Sequence, residues 1–131
     1  MSTRYPLVML VDDNELDNFI NKKLVEADSF ASATTIHTSA QSALDYLKNN
    51  SNDDGQTPDL IFLDIMMPEM DGFDFLDAFD KMPDSVRSKS KIVMLSTSDS
   101  FKDLNRANQN KYVKRFLNKP LNSQVLGALN I

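Results

Sequence analysis

LIFLDIMMPEMDG, Leu60 to Gly72, is an apolar run that stops on a carboxylate, Asp64, then passes through Pro68 into a turn at Asp71-Gly72. A short run with no polar face suits a strand covered on both sides, as in a parallel sheet. Asp64 is then an acid presented at a strand end, and the proline and glycine shape the loop that follows.

The same grammar recurs along the chain. Leu7–Val11, Ser32–Thr38, Ile92–Leu95 and a weaker run around Arg115–Leu117 read as four further strands. Helical spacing lies between them. Leu16, Phe19, Ile20, Leu24 and Ala27 form one apolar stripe, with Asn14 as its N-cap. Ala40, Ala43, Leu44 and Leu47 form a second, and Phe73, Leu76, Phe79 and Met82 a third. Phe101, Leu104 and Ala107 form a weaker fourth, with Ser98 or Asp99 as its cap. Val125, Leu126 and Leu129 close the series, capped by Asn122 or Ser123. Five alternations of strand and helix predict an α/β fold, a doubly wound parallel five-stranded sheet with helices on both faces. The polar stretches Asn49–Asp59 and Pro83–Lys91 read as loops.

The whole chain sets bounds. Its 131 residues suffice for one domain, 1–131, with a core over about 7–129. Hydrophobic residues are 41% and charged residues 25%, an ordinary globular balance. A net charge of −5 disfavours a nucleic-acid backbone as partner. With no cysteine and one histidine, thiolate and histidine-cluster metal sites are excluded. No stretch has the length or apolarity of a membrane span or a signal peptide, so a soluble, cytoplasmic protein is expected.

The strand ends carry the chemistry. Leu7–Val11 ends in Asp12-Asp13, Leu60–Leu63 in Asp64, Ile92–Leu95 in Ser96-Thr97, and the last strand runs into Lys119-Pro120. In a parallel sheet these ends share one edge, where open α/β folds bind ligands. Three neighbouring carboxylates repel unless a cation lies among them, and all-oxygen donors suit a hard ion such as Mg²⁺. A carboxylate beside such an ion can attack phosphorus and form an acyl phosphate. A lysine and a hydroxyl would then hold the phosphoryl oxygens.

With Asp12-Asp13, DIMMPEMDG from Asp64, VMLSTS from Val93 and Lys119-Pro120 in order, the sequence resembles a response-regulator receiver domain of two-component signalling, CheY-like and of the single-domain type. The resemblance runs from about Leu7 to Leu129. It implies the flavodoxin-like strand order 2-1-3-4-5 and Asp64 as the phosphorylation site. It implies Mg²⁺ held by the side chains of Asp13 and Asp64, by the Met66 backbone carbonyl, and by Asp12 through water. Lys119 would contact the phosphoryl group, Ser96 would swing towards it, and Phe116 would move with Ser96. A cis bond before Pro120 is common in the family, and Thr97 stands where a smaller residue is usual. The implied partners are a sensor histidine kinase or histidine phosphotransfer protein and a downstream protein target, with no nucleic acid or membrane. A monomer or a phosphorylation-favoured homodimer is expected. The output face would be the fourth helix, the fifth strand and the last helix. Such a phosphoprotein assists its own phosphorylation and dephosphorylation without being an enzyme in turnover.

Plainer roles fit other residues. Asp71-Gly72 reads as a helix-start turn, and Met66, Met67 and Met70 as packing residues. His37 reads as a surface residue at a strand end, and Lys111, Lys114 and Arg115 as a solvated face. Two rivals differ in class. One is an adaptor that keeps the fold for binding alone, against which the full set of acids and Lys119 speaks. The other is a Mg²⁺-dependent phosphohydrolase, which commonly needs a second acid two residues after the nucleophile, where this chain has Met66.

Overall fold

The structure is a computed structural model that describes residues 4–27, 30–97 and 101–129, with Phe101 in its backbone alone. The strands are β1 (Tyr5–Val11), β2 (Ala31–His37), β3 (Leu60–Asp64), β4 (Lys91–Ser96) and β5 (Val113–Asn118). The helices are α1 (Glu15–Ala27), α2 (Ala40–Asn49), α3 (Gly72–Phe79), α4 (Asp84–Arg87), α5 (Phe101–Asn108) and α6 (Ser123–Ala128). All pairings are parallel and the order is β2-β1-β3-β4-β5, as the resemblance implied.

Period-two alternation explains why the central strands have no polar face. Met9, Val11, Ile61, Leu63, Ile92 and Met94 point to one side, into a core closed by Ala43, Leu44 and Leu47 of α2 and Phe73, Phe75, Leu76 and Phe79 of α3. Val8, Leu10, Leu60, Phe62, Val93 and Leu95 point to the other, against Val25 of α1 and Leu126 of α6. Each strand thus feeds two cores and stays apolar throughout. At the edges the constraint relaxes, and Lys114 and Arg115 on β5 are exposed, the solvated face expected of them.

Two caps are as expected. The Asp17 N–H donates to Asn14 Oδ1 at 3.1 Å, and the Val125 N–H donates to Asn122 Oδ1 at 2.8 Å, which selects Asn122 over Ser123. The alternatives Ser98 and Asp99 lie outside the described residues. Both predicted loops contain a turn of helix, a 3₁₀ turn at Asp54–Gln56 and α4, so the expected fourth helix is α5. Its weak stripe has Ala107 buried and Leu104 half-buried.

Three expectations are overturned. The stripe on α1 is a core face only in part, because Leu24 packs against the core whereas Leu16, Phe19 and Ile20 are 65%, 58% and 51% exposed. The face that packs is Asn18, Asn21 and Val25, and Asn18 Nδ2 donates to the Asp12 carbonyl at 2.8 Å. That bond, worth about 1 kcal/mol net, holds the helix in this rotation. His37 is buried, with its ring nitrogens 2.9 Å from Ser42 Oγ and 3.0 Å from Thr35 Oγ1, and burial holds its pKa below the usual value. Met66 does not pack, being 66% exposed, whereas Met67 is buried and Met70 packs at the core's edge.

A candidate acidic phosphoacceptor site

Register brings the strand ends together. Val11 pairs with Leu63 and Asp64 with Leu95, so Asp12, Asp13 and Asp64 meet at the carboxyl edge, where the order reverses between β1 and β3. One carboxylate oxygen of each lies within 4.8 Å of the others. Asp12 and Asp64 are buried and Asp13 is exposed. Ser96 is fully buried at the end of β4 and pairs in register with Asn118. Phe116 is half-buried on β5 against the core, and Thr97 is exposed beside the crevice.

Lys119 enters from the far end of β5. Its backbone N–H donates to the Ser96 carbonyl at 2.9 Å, and its peptide bond to Pro120 is cis. The ammonium donates to Asp12 Oδ2 at 2.6 Å and lies 3.3 Å from Asp64 Oδ1 and 3.4 Å from Asp17 Oδ2. Asp12 Oδ1 accepts the Asn14 N–H at 2.9 Å, so the Asp12 carboxylate already has partners on both oxygens.

The loop after Asp64 is closed locally. The Gly72 N–H donates to the Ile65 carbonyl at 2.9 Å, and the Met70 N–H to the Pro68 carbonyl at 2.7 Å. Glu69 sits in the left-handed region at φ 69°, which costs a side-chain-bearing residue about 1–2 kcal/mol. Asp71 caps α3 in a capping box with Asp74, as the helix-start reading required. These contacts brace the loop, and the Met66 side chain is 66% exposed.

Charge here is out of balance. Asp64 is pushed up from 3.8 to about 6 by burial and by the charges of Asp12 and Asp13, against the opposing pull of Lys119. Burial lowers Lys119, but its hydrogen bond to Asp12 and the charges of Asp64 and Asp12 outweigh that and leave its pKa raised. Lys119 thus stays a cation among acids that it cannot neutralise alone. The donors are all oxygen, which fits a hard divalent cation.

Sequence reasoning named every one of these groups except Asp17 and Asn14's bond to Asp12. The available signal was that Asp17 is an acid in the first turn of α1, three residues after the cap Asn14.

Fold and site together define a doubly wound α/β domain with an acidic, metal-competent crevice at its switch point. A family model described as the response regulator receiver domain matches residues 8–129. The chain belongs to that family, and it is a receiver domain of a two-component response regulator. It is 30% identical over 120 residues to the probable methanogenesis regulatory protein FilR2 of Methanothrix harundinacea (strain 6Ac), covering 92% of this chain and 76% of that protein. Among solved structures it resembles a two-component response regulator from Cytophaga hutchinsonii, with TM-score 0.85 and 27% identity over 95% of this chain and 92% of that one. A response regulator receiver protein from Dyadobacter fermentans DSM 18053 gives TM-score 0.81 and 30% identity over 92% and 91%.

Proposed function

We propose that the domain accepts a phosphoryl group on Asp64 from a phosphohistidine of a sensor kinase or phosphotransfer protein, with Mg²⁺ as cofactor. The supporting observation is the meeting of Asp12, Asp13 and Asp64 with the Lys119 ammonium at one sheet edge. In the step, an Asp64 carboxylate oxygen bonds to phosphorus as the nitrogen–phosphorus bond breaks, and the electron pair leaves on the donor imidazole. Asp13, Asp64 and the Met66 carbonyl would hold the metal, and Asp12 would reach it through water. Bound there, Mg²⁺ supplies charge neutralisation for the phosphoryl oxygens. Lys119 binds one of those oxygens, and the Ser96 hydroxyl turns to another, leaving room into which Phe116 moves. Such a switch biases two existing states of the α5, β5 and α6 face, where a target or a second copy docks. Met66 offers no second acid, which argues against a turnover hydrolase and for a phosphoprotein. Among the described residues no helix is long and apolar enough to cross a membrane, which is compatible with a cytoplasmic role.

Intact-mass measurement after treatment with a small phosphodonor and Mg²⁺ tests this. One phosphoryl group is expected on the wild type and none on Asp13→Ala, which loses metal binding with it. Equal labelling in excess chelator would remove the metal from the reading.

The exposed stripe of α1 supports a docking role for the donor. Leu16, Phe19 and Ile20 are exposed, and Ile20 lines a 240 Å³ cavity together with Lys119 and Pro120, so the apolar face reaches the lysine of the acceptor crevice. A helix that presents a phosphohistidine would cover both. Ile20→Gln, which removes the apolar contact without adding charge beside Lys119, should slow labelling by a kinase domain active on the wild type about tenfold or more, with small-phosphodonor labelling unchanged. Equal slowing by both donors would place the effect in the site and not in docking.

A further inference from the structure

Three carboxylates share Lys119, and one of them, Asp17, is neither the proposed acceptor nor a proposed metal ligand. Asp12 and Asp64 belong to the crevice. Asp17 comes from the first turn of α1, with its side chain 39% exposed and Oδ2 3.4 Å from the ammonium. It lines the same 240 Å³ cavity as Ile20, Thr97, Lys119 and Pro120, at the seam between the acceptor site and the apolar face of α1.

Asp17 is not needed to place Lys119. The lysine backbone is tied to the Ser96 carbonyl at 2.9 Å, and the shorter ion pair, 2.6 Å, is with Asp12. What Asp17 adds is charge. It is a further anion facing one ammonium, from the cavity beside Thr97 and Pro120, and it draws the lysine's field away from Asp64.

We propose that Asp17 acts through the charge of Lys119 as a brake, slowing phosphorylation of Asp64 by small free phosphodonors until a protein donor covers α1. The proposal rests on the phosphoacceptor reading and deepens it. A small anion meets the partly exposed Asp17 carboxylate and a lysine already engaged on three sides. A donor helix seated on Leu16, Phe19 and Ile20 lies over Asp17 and can pair with it, which leaves Lys119 to the phosphoryl group. The same residue thus separates a histidine-bearing partner from dissolved phosphoryl compounds without touching phosphorus.

The test compares the wild type, Asp17→Asn and Asp17→Glu with phosphoramidate and Mg²⁺, followed by intact mass. At low salt Asp17→Asn should be labelled roughly three- to tenfold faster, at the low end of what local charge does to encounter rates. Asp17→Glu should stay near the wild type. The gap should shrink as ionic strength rises, which a packing effect would not do. An Asp17→Asn rate equal to or below the wild type at low salt overturns the brake. Label on no variant, the wild type included, removes the acceptor reading and the brake with it.

Discussion

Asp64→Asn should abolish labelling and, in chelator at pH 7, make the fold more stable by about 2–3 kcal/mol, raising the thermal midpoint by about 6–10 °C. The reason lies in the crowding of acids. Asp64 is 5% exposed, beside two other carboxylates, and its pKa rises from 3.8 to about 6. A folded-state pKa above the unfolded one means that the folded chain binds this proton more tightly. The contribution of Asp64 to stability is therefore fully present below pH 3.8 and is lost as pH rises through about 6. At pH 7 the ionised group is a net cost, and a neutral amide removes it. A divalent cation reverses the balance, so the advantage of the variant should shrink as Mg²⁺ is added to the wild type. Urea melts of both proteins, in chelator and in Mg²⁺, check this. Equal stability in chelator would show that Lys119 already neutralises the site, and retained label would move the acceptor elsewhere.

Gly72→Ala should cost about 2–3 kcal/mol and slow phosphorylation as well. A Cβ at this position would lie 2.9 Å from the Asp64 carbonyl oxygen, 3.0 Å from Ile65 Cα and 2.9 Å from Met94 Cε. The methionine end can swing aside, but the two backbone atoms cannot. They belong to Asp64, the proposed acceptor, and to its neighbour Ile65. The loop is cinched at this point by the Gly72 N–H to the Ile65 carbonyl, 2.9 Å, so relief means shifting the strand end. The dihedral angles of Gly72 are not the obstacle, since it has no positive φ and opens α3 as an ordinary helical residue. Wild-type stability in Gly72→Ala would show that the strand end yields freely.

Much of this fold was legible because its signals are local. A strand buried on both faces has to be apolar at every position, and β1, β3 and β4 read that way without any knowledge of their neighbours. Caps at Asn14, Asp71 and Asn122 are side chains that bond three residues on, so they too are written in short spans. The acids, Ser96 and Lys119 stood out because each ends a strand, and a parallel sheet carries all such ends to one edge. Edge strands were harder. The alternation of β5 is diluted where solvent replaces a helix, and its bounds widened from Arg115–Leu117 to Val113–Asn118.

The amino-acid sequence by itself determined the parallel α/β class, the strand ends that meet, and the residue types in the crevice. Tertiary structure alone decided how α1 is turned about its axis. Its apolar stripe has helical spacing, which says that the residues share a face but not which way that face points. Asn18, by donating to the Asp12 carbonyl, and Val25, by packing into the core, turn Leu16, Phe19 and Ile20 to solvent. The same rotation sets Asp17 against Lys119, 102 residues further along the chain. His37 went from expected surface to core because Ser42 and Thr35 satisfy its ring. Periodicity is a property of one segment, whereas the orientation of a segment is settled by contacts with partners that only the folded chain brings within reach.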